Sequence, residues 1–220
     1  DVNTATFTAP EENNEFTGEV LPTNGAEVYF RTDLTMSPER MYVWKGVSDK
    51  REKEHGTVII LREYKDGEAV SLKAGETLVV DFGQNAAAVP SFLFNAKKGT
   101  TLTCLPAELL NDGNGATSRG MDGPEGSVHR TNLRAHHASM RIDYTFSENE
   151  KAVQFCPRNT FFGYRYISIT ATDDVVLHSI KSVPVSSITK EMETGSLITG
   201  NELINKLISN TMWSMRSNYF

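Results

Sequence analysis

No run of about 18 consecutive apolar residues occurs in this chain, so no segment reads as a membrane-spanning helix. Cysteine is scarce. Cys104 and Cys156 are the only two, without CxxC spacing, which argues against a zinc site or a dithiol redox motif. Both fall on runs that read as strands, where a buried thiol behaves as a small hydrophobe. A disulfide between them is left open by the sequence. Basic charge is thin as well. Lys and Arg number 22 against 28 Asp and Glu, net −6, and no basic stripe forms, so nucleic acid is not an expected partner. The mixed-sign stretch Lys50-Arg51-Glu52-Lys53-Glu54-His55 reads as a solvated loop. The opening Asp1-Val2-Asn3-Thr4 has neither a charged n-region nor an apolar h-region, so no secretory signal is read there. Ser/His/Asp arrangements, phosphate loops and dinucleotide fingerprints are also missing.

What is present is a hydrophobic period of two. Ala26, Val28, Phe30, Thr32, Leu34 and Met36 alternate with polar neighbours, which predicts a half-buried strand. Residues 57–61 (TVIIL) predict a more fully buried one. Residues 77–82 and 91–94 read as two further strands. Leu102 and Cys104 point inward from 101–105. Met140, Ile142, Tyr144 and Phe146 alternate likewise, and Val153 with Phe155 repeats the pattern. Residues 164–170 and 175–185 complete the set. Turn signals at Lys65-Asp66-Gly67, Lys73-Ala74-Gly75, Lys97-Lys98-Gly99 and Thr172-Asp173-Asp174 separate these runs. About ten short strands so punctuated predict an all-β fold, an antiparallel sandwich or jelly roll, with one C-terminal helix. The glycine-rich stretch 111–129 predicts a long exposed loop.

After Thr199-Gly200 the pattern turns helical, with Asn201 as N-cap. Leu203, Ile204, Leu207, Ile208, Thr211 and Met215 form one stripe. At about 100° per residue, Trp213 and Phe220 fall nearly opposite, with Met212 between. A helix apolar on two sides is normally buried on two sides, and a sandwich covers only one. A neighbouring domain is therefore expected, and the chain is expected to be part of a longer protein.

Four segments resemble the bacterial α-L-rhamnosidases of glycoside hydrolase family 78. They are Val80-Asp81-Phe82-Gly83-Gln84-Asn85; Ala107-Glu108-Leu109-Leu110 with Asp112-Gly113; Pro157-Arg158 through Phe162-Gly163-Tyr164-Arg165-Tyr166; and Thr194-Gly195-Ser196-Leu197 with the helix ending Trp213-Ser214-Met215-Arg216-Ser217-Asn218. Their order and approximate spacing match the family from about Leu78 onward. The resemblance implies a β-sandwich leading into the first helix of an (α/α)6 catalytic barrel. It also implies a periplasmic or extracellular location. Residues 1–75 are then earlier strands of the same sandwich or the remnant of a preceding β module. Residues 76–190 are the sandwich, and 191–220 the linker and first helix. The implied partner is the downstream barrel of the same polypeptide, which would carry the catalytic carboxylates. The implied reaction is inverting hydrolysis of terminal α-L-rhamnose, with no catalytic residue in this chain.

Each candidate site has a structural alternative. Asp81 is expected to cap a turn and Glu108 to pair with Arg158 or Arg165. Gln84, Asn85 and Glu108 are candidate sugar contacts, although the two amides equally suit a turn that satisfies its own backbone. Asp112 heads an oxygen-rich loop with a calcium-like composition but without EF-hand spacing. No cofactor is expected, and calcium at Asp112 is the one metal candidate. His136-His137 point to opposite strand faces, and His129 and His178 stand alone, so histidine metal binding is not expected. Tyr164 and Tyr166 are expected on the face opposite Ile167 and Ile169, and Trp44 is a candidate stacking ring. Trp213, Met212, Phe220 and Arg216 are expected at a domain interface, and an uncovered helix predicts a dimer or a loose tail. The rival functions are a carbohydrate-binding module and a structural surface sandwich.

Overall fold

The computed structural model describes residues 17–19, 21–22, 24–48, 53–115, 120, 122–131, 140–149 and 152–220. His136-His137, Lys50-Arg51-Glu52 and part of the 111–129 stretch lie outside the described residues. The chain is an all-β sandwich with a single C-terminal helix. Its strands are β1 (Tyr29–Phe30), β2 (Arg40–Val47), β3 (Val58–Tyr64), β4 (Val70–Leu72), β5 (Thr77–Ala96) and β6 (Thr101–Ala107). They continue with β7 (Leu109–Leu110), β8 (Val128–His129), β9 (Ile142–Thr145), β10 (Val153–Phe155), β11 (Phe162–Ala171) and β12 (Val175–Ser186).

The 20-residue β5 organises the rest. Residues 77–82 and 91–94, read from sequence as separate strands, are two ends of this one strand. Its first half lies between β2 and β11, with Val80 opposite both Met41 and Ile167. Its second half lies between β12 and β10, with Phe92 opposite Ile180 and Phe155. β11 runs on to β6, and β6 to β9. β3 extends β2 at one edge, while β1 and β4 flank β12. Leu78 and Val80 from the first half share one core cluster with Phe92 and Phe94 from the second, so the ladder folds over on itself. Phe94 packs edge-on against Phe146 and Tyr144, with centroids 4.9 and 5.0 Å away. Each fully buried side chain of this size stabilises by about 1.5–3 kcal/mol relative to exposure.

The inward alternation of Leu102 with Cys104 and of Ile142 with Phe146 is present as read. Both cysteines are free thiols, and burial pushes Cys104 well up. Several expectations fail. Residues 26–36 do not form one half-buried strand: two residues pair with β12, Thr32–Leu34 make a 3-10 turn, and Phe30 is exposed. In 57–61 only Val58 is buried, while Ile59, Ile60 and Leu61 are exposed on a strand whose ladder partner among the described residues is β2. Tyr164 does not share a face with Tyr166. It joins Ile167 and Ile169 in the core because the register shifts at Arg165, and its Oη lies 2.7 Å from Ser182 Oγ.

The described part of the 111–129 stretch is anchored rather than freely exposed. Asn111 is buried, and its N–H donates to Ser127 O at 2.8 Å. Tyr42 Oη donates to Gly126 O at 2.5 Å, and Val58 N donates to Glu125 O at 3.0 Å. His129 is buried with Nδ1 3.2 Å from Asp122 Oδ1.

The pivot of β5 is Gly83, at φ +75°, where a Cβ would also meet the Glu39 carboxylate. Left-handed backbone costs a non-glycine residue about 1–2 kcal/mol. Gly83→Ala should therefore lower stability by about that amount or more in urea unfolding. Adding Glu39→Ala should recover only the steric part. An unchanged midpoint in Gly83→Ala would contradict this account of the pivot.

Candidate functional site

At the pivot, Tyr164 pairs with Ala86 and Tyr166 with Asp81. The four residues Phe82, Gly83, Gln84 and Asn85 thus stand opposite the single residue Arg165. Such a bulge bends the strand and re-aims its side chains. Phe82 turns into the core, edge-on to Tyr164 at 6.0 Å. Gln84 and Asn85 are carried outward. Asp81 holds the geometry: Oδ1 accepts from Gly83 N at 2.7 Å, and the carboxylate takes Arg165 Nε and Nη2 at 2.7 and 2.8 Å. Asp81 therefore caps the turn as expected, but the Arg165 partner assigned to Glu108 belongs to Asp81. Glu108 instead accepts from Asn85 Nδ2 at 3.3 Å.

The structure brings Gln84, Asn85 and Glu108 into one cleft of about 420 Å³, whose opposite wall includes Trp213, Asn210 and Asn218. That wall is helix α1 (Glu202–Arg216) and the residues just after it; α1 is capped by Asn201, whose Oδ1 accepts from Leu203 N and Ile204 N at 2.9 and 3.3 Å. The two amides are committed locally. Gln84 Nε2 donates to Asn85 O at 2.7 Å, and Asn85 reaches Glu108.

Three contacts seat α1. Ser217 Oγ accepts from Ala87 N at 3.2 Å. Phe220 stacks on Phe161 with centroids 4.5 Å apart and planes 24° apart. Arg216 donates to both oxygens of Glu193, at 2.8 and 2.5 Å, with its guanidinium 5.2 Å from the Trp213 ring centroid. Glu193 also accepts from the buried Arg31 at 2.9 Å, and Arg31 makes a paired contact to Asp33. This clasp was not foreseen, because Arg31 and Glu193 are 162 residues apart.

Met212, Trp213 and Arg216 are half-buried towards this chain's own sandwich. The other face is open: Leu203 is 80% exposed, Ile204 45%, Leu207 64% and Met215 39%. Ile208 alone of that stripe's strongly apolar residues is half-buried. Trp44 packs beside Tyr42, Val58 and Val79, as a core-edge ring rather than an open platform. At Asp112, Oδ1 accepts from Asn114 N at 3.0 Å, while Lys53 Nζ donates to Asp112 O at 2.8 Å. An ammonium thus already sits beside these oxygens. Among the described residues no three His, Cys, Asp or Glu side chains gather as metal ligands.

A long β5 shared by two layers, a bulge at its middle and a helix docked against that bulge describe an antiparallel β-sandwich with a seated C-terminal helix. The family model of the bacterial alpha-L-rhamnosidase concanavalin-like domain matches residues 70–186, more than half of the chain, and the chain belongs to that family. An alpha-L-rhamnosidase of Formosa agariphila is 27% identical over 172 residues, covering 78% of this chain and 17% of that protein. One from Streptomyces avermitilis is 30% identical over 174 residues, covering 74% of this chain and 14% of that protein. The solved alpha-L-rhamnosidase of Aspergillus terreus superposes with a TM-score of 0.52 at 26% identity, over 73% of this chain and 17% of its own. A Klebsiella oxytoca rhamnosidase, at 13% identity and TM-score 0.53, shares the fold over 88% of this chain and 36% of its own. The chain therefore spans only 14–17% of these curated relatives' lengths.

The clasp has a pH signature. The Arg216 guanidinium holds the Glu193 carboxyl below the usual range; burial opposes this, and Arg31 adds to the lowering. A lowered folded value means stability that is present above the unfolded carboxylate's value, about 4.3, and lost as pH falls through the folded value. Thermal melts below pH 5 or so should fall more steeply for the parent chain than for Glu193→Gln, which is less stable at neutral pH. Parallel curves for the two proteins would exclude the clasp as a pH-dependent contributor.

Proposed function

We propose that this chain is the non-catalytic sandwich unit of an α-L-rhamnosidase-like glycoside hydrolase. Its role is to support hydrolysis of terminal α-L-rhamnose by a catalytic barrel on the same polypeptide. The observation that carries this is the carboxylate content of the cleft. Glycoside hydrolysis of the usual kind needs two carboxyl groups flanking one bond, one as acid and one as base or nucleophile. Among the described residues lining the cleft, Glu108 is the only carboxylate. Asn85 Nδ2 donates to it. The described residues of the cleft can shape an approach path but do not supply the pair that the chemistry requires.

The open face of α1 supports the second half of the proposal. Leu203, Ile204, Leu207 and Met215 form an apolar strip on a helix whose other face is already docked. Such strips on soluble proteins mark association surfaces. A catalytic barrel that uses this helix as one of its own would cover the strip and align the cleft beside its active site. By family resemblance the barrel's reaction is inverting, with a water between acid and base.

The chain alone should show no turnover of an aryl α-L-rhamnoside, and clear turnover by pure protein would overturn the proposal. In a protein that also carries the barrel, Leu207→Asp should lower both melting temperature and turnover. In the chain alone it should change stability by less than about 0.5 kcal/mol, the usual range for surface positions. An equal effect in both proteins would refute barrel docking at this face.

A further inference from the structure

A second groove lies across Phe161 from the cleft, between β1 and the segment that precedes β11. Its volume is about 450 Å³, and its lining includes Tyr29, Phe30, Arg158, Asn159, Thr160 and Phe161. We infer that this groove is a saccharide-binding site in which Phe161 and a ring of β1 stack a sugar and Arg158, Asn159 and Thr160 hydrogen-bond its hydroxyls.

The two hollows differ in what they leave available. In the cleft, Gln84 and Asn85 are tied to backbone and to Glu108. In the groove, no hydrogen bond or ion pair engages the side chains of Arg158, Asn159 or Thr160 among the described residues. Together they offer a planar fork of N–H donors, an amide that both donates and accepts, and a hydroxyl that does the same. That set matches vicinal hydroxyls, each of which is donor and acceptor at once. Tyr29, Phe30 and Phe161 are 42%, 43% and 42% exposed. Neighbours on a strand point to opposite faces, so β1 turns one of its two open rings to the groove beside Phe161, an apolar surface that a ligand would cover. An aromatic face carries partial negative charge and suits the C–H face of a pyranose. An apolar hollow with a few convergent polar groups is the general form of a small-ligand site.

The site is also held firmly from both sides. Tyr29 and Phe30 pair with Ser186 and Val185 of β12. Phe161 is backed by Phe220 in a stack that the docked helix holds in place. Phe161 borders both hollows, so a chain of sugars lying in the groove would pass over it towards the cleft. Only the choice of sugar for the test rests on the rhamnosidase reading.

The test is saturation-transfer NMR and calorimetry of the chain with methyl α-L-rhamnopyranoside. Saturable millimolar binding is expected. Phe161→Ala and Arg158→Ala should each weaken it about tenfold, the size of one lost ring contact or charged hydrogen bond. Arg158 is exposed, so its variant should melt like the parent, and weakened binding in it reports the site rather than the fold. Gln84→Ala, across the ridge, should bind as the parent does. Loss in Gln84→Ala with none in Arg158→Ala would move the sugar to the cleft and overturn the groove. Absence of saturable binding by the parent chain would overturn it too. Either result leaves the non-catalytic reading to be judged by turnover alone.

Discussion

One strand belongs to both layers of this sandwich, and it can do so only by bending. β5 meets β2 and β11 over its first half, then β12 and β10 over its second. The bend is concentrated in four residues opposite Arg165. A glycine at positive φ makes it sterically accessible, and the Asp81–Arg165 fork fixes it. The fork's carboxylate is 17% exposed and its guanidinium 36%. Screening therefore limits its net contribution, and its value lies in geometry more than in raw stabilisation. Remove the bend and Leu78 and Val80 no longer face the same core as Phe92 and Phe94. The bend also places everything of functional interest. It lifts Gln84 and Asn85 to the cleft rim and leaves Ala87 N to meet Ser217 at the base of the helix.

The helix and its linker are joined to this frame by charge as well as by packing. Glu193 receives one guanidinium from the start of the described sandwich and another from the last turn of α1. A carboxylate shared by two arginines is a strong contact when partly buried, and both arginines here are well shielded. Seating the helix this way presents the Leu203–Leu207 face outward as a preformed surface. An association surface held rigid before binding loses less entropy on binding. This arrangement fits the proposal that α1 packs against a catalytic barrel.

Much of this was legible from local pattern. Alternation located the core faces of Leu102, Cys104, Ile142 and Phe146, and the Asn201 cap marked the helix start. The failures have one physical root, which is that period-two reading assumes an unbroken ladder with neighbours on both sides. The bulge at Arg165 shifts register, so Tyr164 lands beside Ile167 despite the odd spacing. Among the described residues β3 beyond Val58 has a neighbour on one side only, and Ile59, Ile60 and Leu61 are apolar yet exposed. The aromatic pair Tyr29 and Phe30 was read as part of a longer strand, when only those two residues pair. In the site, Gln84, Asn85 and Glu108, singled out as candidate sugar contacts, line one cleft. Sequence motifs could not show which arginine meets which carboxylate. Nor could they show that Arg158, expected as an ion-pair partner, lines a groove with Phe161 and β1.

The central claim is that β5 makes the two layers one cooperative unit. Native-state amide hydrogen exchange in low denaturant tests it most directly, because it resolves opening free energies residue by residue. Amides on both halves of β5, around Val79 and around Leu93, should open with the same free energy and the same denaturant dependence. Those of α1 should open at lower free energy. If the two halves of β5 opened independently, with different free energies, the layers would be separate units and the account of the bend would be wrong.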